Sequence, residues 1–216
     1  IENFLSAMDV RVNCRFLCET TFDRLEGFLS APLNLLANDD YTGEMLKNFF
    51  IEKYGCKFLE QPFPIGFDET KNWLLSVGEF FGKKEKALEI IRQNESLYIE
   101  EVEMLKPLLS GKKLMIITYN HSLDWILKAA LDVGIEIVKI GILNFSQDSG
   151  FRTSLGVPLN VEEDYDKEKR VDDFMEYHPD IVLTNYESSV NSGEYLSDTI
   201  PMCPDVGFYS GINMVS

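Results

Sequence analysis

One stretch limits the folds open to this chain more than any other. Lys113 to Tyr119 reads KLMIITY, a helical pattern follows from Leu123 to Val133, and Ile135 to Leu143 reads IEIVKIGIL. A strand that is apolar at every position, and not only at alternate ones, has both faces covered, which is the habit of a parallel sheet. Ser122 stands where an N-cap is expected and Gly134 where a helix should stop. An acidic loop, Glu162 to Asp166, then leads into a helix from Lys167 to Tyr177. Another apolar run, Asp180 to Thr184 (DIVLT), sits behind the turn signal His178-Pro179. Strands alternating with helices specify right-handed βαβ units and open parallel sheets.

The first eighty residues read the same way, as β-α-β-α-β-α. Val10 to Phe16, Leu33 to Ala37 and Cys56 to Leu59 are strand candidates. Helices are expected from Thr21 to Leu29, from an Asp39 or Asp40 cap to Tyr54, and from near Asp68 to Phe81, with Gly55 as a left-handed stop. Between the halves, Lys83 to Ser110 is helical throughout. Leu88, Ile91, Tyr98, Val102 and Leu105 place an apolar stripe on one face. Such a helix spans ~42 Å at 1.5 Å per residue, more than a crossover needs. Pro107 bends or ends it in the last turn. The expected architecture is α/β: two Rossmann-like parallel-sheet subdomains, 1–82 and 111–216, joined by a connecting helix, 83–110. The second subdomain stops short of completion. The start at Ile1-Glu2-Asn3 reads as the interior of a longer polypeptide.

Charge and composition narrow the function. A net charge of −16 lacks the basic footprint that a nucleic-acid binder needs, and it disfavours an anionic membrane surface. No apolar run approaches the ~18 residues of a spanning helix. Cys14, Cys18, Cys56 and Cys203 are too few for a disulfide scaffold at 216 residues and fit reduced thiols in a cytoplasmic protein. Cys14 and Cys18, on one extended strand, would sit ~13 Å apart at 3.3 Å per residue, too far to share an iron. Core thiols account for them better than cluster ligands.

Familiar catalytic signatures are missing. There is no G-x-G-x-x-G, G-x-S-x-G, H-E-x-x-H or C-x-x-C, and with His121 and His178 alone a His-rich metal site is excluded. Ser110-Gly111-Lys112-Lys113 follows a helix, where a phosphate loop follows a strand. Open α/β sheets hold ligands beyond the carboxyl ends of their strands. Three polar loops occupy that position: Asn38-Asp39-Asp40, Tyr119-Asn120-His121-Ser122 and Asn185-Tyr186-Glu187. Two readings stand side by side. As caps, Asp39, Asp40 and Ser122 close helices and His121 is a surface residue. As a site, Asn38, Asp39, Asn120, Ser122 and Tyr186 bind a ligand and His121 supplies protons, since imidazole exchanges them near neutrality.

The order of segments resembles the component 1 proteins of nitrogenase. That family includes cofactor-assembly scaffolds and dark-operative protochlorophyllide reductase subunits. The residues that carry the resemblance begin with Leu33-Asn34-Leu35-Leu36, Lys53-Tyr54-Gly55, Gln61-Pro62 to Gly66-Phe67 with Thr70, and Gly78-Glu79-Phe80-Phe81-Gly82. KLMIITY, Leu131-Asp132-Val133-Gly134, IEIVKIG, Pro179 to Leu183 and Gly207-Phe208-Tyr209-Ser210-Gly211 extend it over nearly the whole chain. The resemblance implies multi-electron reduction by a subunit of a larger three-domain protein. Its partners would be a homologous subunit and an ATP-dependent iron–sulfur reductase, and an iron–sulfur or related metallocofactor would sit in the full complex. It also marks departures. The upstream domain with bridging-cluster cysteines is not in this chain. Ala37-Asn38-Asp39 stands where the family places a cofactor cysteine, Asn120-His121 replaces a Gly-Gly turn, and Pro201 to Val206 has no histidine. The resemblance therefore implies no cofactor ligand set of thiolate and imidazole here. A rival expectation is a non-catalytic scaffold for a metallocofactor precursor or tetrapyrrole. A third is a bilobal receptor for a sugar or metal.

Overall fold

The computed structural model describes residues 1–16, 21–23, 27–144, 150–186 and 195–216. The chain divides into two compact units. One comprises Ile1–Pro64 and Asp68–Glu95, the other Ile65–Phe67 and Ser96–Ser216.

The first unit holds helices α1 (Glu2–Ala7), α2 (Tyr41–Tyr54), most of α3 (Phe67–Phe80) and the start of α4 (Lys84–Leu109), with a 3-10 turn at Phe28–Ser30. The boundaries of α2 are set by local chemistry. Asp40 takes the N-cap and accepts from the Gly43 N–H at 2.8 Å, and Gly55 ends the helix at φ 66°. The three strand candidates of this half do not form a sheet among the described residues. Val10 to Phe16 is irregular, which removes the extended geometry assumed for Cys14. Leu33 to Ala37 and Cys56 to Leu59 shrink to one parallel bridge, Asn34 to Phe58. Asn34 N donates to Lys57 O at 2.8 Å and Leu59 N to Asn34 O at 3.0 Å. A βαβ order survives around α2 with the pairing reduced to its minimum. Isolated pairs of short, half-exposed strands are marginal, and among the described residues no third strand supports this one. Side chains carry the unit instead. The rings of Phe16, Phe28 and Phe50 lie 5.0 to 5.2 Å apart, and Trp73, Leu74 and Val77 of α3 and Ala87 and Ile91 of α4 are buried. The helix expected over Thr21 to Leu29 falls partly outside the described residues, as does Cys18.

The second unit is built on five parallel strands, β1 (Lys113–Thr118), β2 (Glu136–Ile142), β3 (Val161–Glu163), β4 (Ile181–Thr184) and β5 (Leu196–Thr199), in the order β3-β2-β1-β4-β5. Its helices are α5 (Asp124–Asp132), α6 (Arg170–Tyr177) and α7 (Ser210–Val215). The unbroken apolar runs have the expected cause. Leu114 and Ile116 join Ile140, Ile142 and Leu183 under α5 and α7, while Met115 and Ile117 join Val182, Leu143 and Tyr165 on the opposite face. Each such side chain contributes about 1.5–3 kcal/mol on burial. The end of α4 completes the first of these cores through Tyr98, Val102, Leu105 and Leu109. Pro107 falls in its last turn, and the helix stops at Leu109.

The structure corrects several expectations here. The acidic loop at Glu162 begins inside strand β3, and the helix expected from Lys167 opens as a 3-10 turn, Lys167–Lys169. Ser122 makes no cap: α5 begins after Leu123 without a side-chain cap. Strand β5 and helices α1 and α7 had no clear signal, because β5 (LSDT) is a polar edge strand and both helices are six residues long. The Gly207 to Gly211 stretch needs its glycines for two reasons, a φ of 121° at Gly207 and close approach at Gly211. A Cβ at Gly211 would lie 1.9 Å from the Trp125 carbonyl oxygen of α5. Among the described residues, no helix is long and apolar enough to cross a membrane.

Candidate functional site

In the second unit β1 feeds β2 on one side and β4 feeds β5 on the other, so the order reverses between β1 and β4. A point of this kind is where doubly wound sheets bind ligands, beyond the carboxyl ends of their strands. The loops after these two strands are the polar ones already singled out, Tyr119 to Ser122 and Asn185 to Tyr186. Glu187 lies outside the described residues.

Both loops turn on the same device. The buried Thr118 hydroxyl accepts from Asn120 N at 3.0 Å, and the buried Thr184 hydroxyl accepts from Tyr186 N at 3.4 Å. Asn185 joins the two loops. Its Oδ1 accepts from Tyr119 N at 3.0 Å, and its Nδ2 donates to Asn120 Oδ1 at 3.1 Å. Asn120 and the Asn185-Tyr186 loop are thereby brought together. Sequence reasoning placed Asn185 in the right loop but gave it no role, because only the pairing of β4 beside β1 brings it to Asn120.

His121 is not the surface residue of the cap reading, since both ring nitrogens are buried. Its carbonyl accepts from Arg152 N at 2.9 Å, and Ser122 forms a parallel bridge with Arg152. The strand of chain after Gly150 therefore runs across this loop. It is anchored by Asp124 at the start of α5, whose carboxylate accepts from Thr153 Oγ1 at 2.6 Å, Ser154 Oγ at 2.6 Å and Ser154 N at 2.7 Å. Ser122 itself is exposed.

Asn38 and Asp39 belong to the first unit. Both are exposed, and Asn38 Nδ2 donates to Asp40 Oδ2 at 3.3 Å beside the N-terminus of α2.

Around these second-unit loops the electrostatics are ordered. Glu162 accepts from Lys139 and Lys169, each at 2.7 Å, and these hydrogen bonds hold its carboxyl below the usual carboxylate range. Tyr165 is pushed far up by burial and by the Asp173 carboxylate, to which its hydroxyl donates at 2.6 Å. Lys167 donates to Tyr119 Oη and Arg170 to Tyr186 Oη, each at 3.0 Å.

Among the described residues no three His, Cys, Asp or Glu side chains group so as to hold a metal ion. Cys14 and Cys56 are half-buried in the first unit, and Cys203 is exposed in the second. One imidazole among amides and hydroxyls is not an iron-cluster donor set.

A parallel sheet in the order β3-β2-β1-β4-β5 with polar loops at its switch point defines a Rossmann-like α/β protein. The model of the nitrogenase component 1 type oxidoreductases matches residues 1–215, and the chain belongs to that family. It is 23% identical over 192 residues to the nitrogenase molybdenum-iron protein alpha chain of Methanothermobacter thermautotrophicus, covering 85% of this chain and 39% of the relative. It is 25% identical over 147 residues to the light-independent protochlorophyllide reductase subunit N of Cyanophora paradoxa, covering 62% of this chain and 31% of the relative. A solved structure of nitrogenase Cp1 at pH 5 superimposes with a TM-score of 0.69 at 15% identity, over 99% of this chain and 50% of that one. The chain thus spans less than half the length of the curated relatives it matches.

Proposed function

We propose that the chain acts within a nitrogenase component 1-like oxidoreductase that carries out multi-electron reduction. A homologous subunit and an ATP-dependent iron–sulfur protein would be its partners, in the cytoplasm. The observation that carries this reading is the family match over residues 1–215. The polar loops at the second unit's switch point are its ligand site, with Asn120, Ser122 and Tyr186 as binding residues and His121 as the proton donor. Asn38 and Asp39 take a binding role in the loop before α2. The division of the chain at a connecting helix, 83–110, belongs to the same proposal. The buried ring nitrogens of His121 support its role, because a proton donor works best where bulk water does not compete.

A second reading has its own support. With no group of metal-ligating side chains among the described residues, a scaffold that holds a metallocofactor precursor or tetrapyrrole fits the amide-rich loops. Iron and acid-labile sulfide per chain, measured on the full-length protein purified without oxygen beside its genomic neighbour, separate the two. Stoichiometric iron and sulfide in the complex support the reductase. A metal-free complex that still assembles supports the scaffold. In the reductase, His121→Gln should lower turnover about a hundredfold, the low end for a lost proton donor, with substrate binding retained. Unchanged turnover removes His121 from the mechanism.

A further inference from the structure

We propose that Met202 is an oxidation-sensitive residue of the switch point, where a peroxide converts its thioether to the sulfoxide and so resets the amide that ties the two site loops together. This rests on the loops after β1 and β4 as the ligand site and adds a means of regulating them.

The sheet edge places the sulfur. Ile200, fully buried just beyond β5, donates its N–H to Thr184 O at 2.8 Å and carries the chain alongside the end of β4. Two residues on, Met202 Sδ accepts from Asn185 Nδ2 at 3.2 Å. The orientation of that amide is fixed from its other end. Its Oδ1 accepts from Tyr119 N, and a backbone N–H can only donate. The two hydrogens on Nδ2 are therefore directed at Asn120 Oδ1 and at the Met202 sulfur. This half-buried amide has both donors engaged, and one of its acceptors is a thioether, which is a weak one.

Exposure makes the sulfur reachable. Met202 is 64% exposed, close to Met104 of α4 at 61% and Met175 of α6 at 70%, while Met8 and Met115 are fully buried. On reaction with hydrogen peroxide the sulfur gives up two electrons and the O–O bond breaks. One oxygen is bonded to sulfur and the other leaves as water. An N–H···O bond takes about 2.9 Å by itself. A sulfoxide oxygen facing Asn185 therefore does not fit within the present 3.2 Å, and the two side chains must separate. An oxygen facing away leaves Asn185 Nδ2 opposite an electron-poor sulfur, and that hydrogen bond is lost. Either epimer disturbs the amide that also holds Tyr119 N and Asn120 Oδ1.

The test is a stepwise hydrogen peroxide titration of the full-length protein carrying Cys203→Ser, which takes the adjacent exposed thiol out of the reaction. Methionine methyl NMR signals report which sulfurs are oxidised, and asparagine side-chain amide signals report the loops. Met202 should convert no more than about tenfold slower than Met104 and Met175. The Asn120 and Asn185 amides should shift in step with Met202, and methionine sulfoxide reductases for the two epimers should return them. In Met202→Leu, which keeps an apolar side chain of similar size, the same treatment should leave both amides in place. Slower conversion of Met202, amides unmoved while it converts, or equal shifts in Met202→Leu overturns the proposal. Because no turnover is measured, coupling without reduction sinks only the proposed activity. Reduction without coupling sinks only this inference.

Discussion

The two units were written in the same sequence language and came out differently. In the second, five parallel strands pair and both faces of β1 are sealed. In the first, two of the three strand candidates share one bridge and a cluster of phenylalanines carries the packing. KLMIITY offers six apolar or β-branched side chains to two faces. Leu33 to Ala37 offers four, interrupted by Asn34 and only half-covered. A strand persists when neighbours on both sides reward it, and β1 has β2 and β4 while among the described residues Asn34 has Phe58 alone. Strand propensity is a statement about surroundings more than about residues.

The largest expected effect breaks the first unit at its rings. Phe50→Ala should cost about 3–5 kcal/mol, the range for deleting a buried aromatic. Hydrogen exchange should show lost protection over Tyr41–Tyr54. Retained protection would mean that the single bridge holds more than the rings do. Next, Asn185→Ala leaves Tyr119 N without its acceptor and should cost about 1–3 kcal/mol, the penalty of a half-buried unsatisfied donor. Urea melts give the cost, and the Asn120 side-chain amide signals should move. If they stay put, Asn185 does not tie the loops.

Two residues with the same sequence signature sharpen the comparison. Asp40→Ala should lower stability by about 1 kcal/mol, because it caps a surface helix. Ser122→Ala should stay within about 0.5 kcal/mol, because Ser122 caps nothing. Equal losses in thermal melts would erase that distinction. The smallest effect concerns pH. Asp180 accepts from Lys112 Nζ and Lys113 N, each at 2.9 Å, and the Lys112 ammonium holds its carboxyl below the usual range. A lowered folded pKa gives stability that is present above the ordinary aspartate value near 4 and is lost as pH falls through the lower folded value. Asp180→Asn should therefore cost less than about 1 kcal/mol at neutral pH, given its exposure. The gap to wild type should close on acidification below pH 4, as followed by urea melts at stepped pH. A gap that widened there would reverse the assignment.

Much of the fold was legible because its causes are local. Asp40 and Gly55 bound α2 where a cap and a left-handed stop were read, and α3, α4, β1, β2 and β4 fall within a few residues of their expected ends. The site was legible only as loops. Tyr119 to Ser122 and Asn185-Tyr186 stood out by polarity after apolar strands. Nothing in their spacing disclosed that Asn185 reaches Asn120, that His121 is covered by the chain after Gly150, or that Lys167 lies over two tyrosine rings.

Sequence alone determined the α/β class, the alternation of α2 to α5 with β1, β2 and β4, and the ends of α2, since each follows from side chains within a turn or two of one another. The tertiary structure decided which strands became a sheet, which polar loops met and which cations turned inward. Those outcomes depend on partners that lie on different elements of the chain, as Asn120 and Asn185 do, and pairing between elements is settled by packing and loop closure, not by local preference.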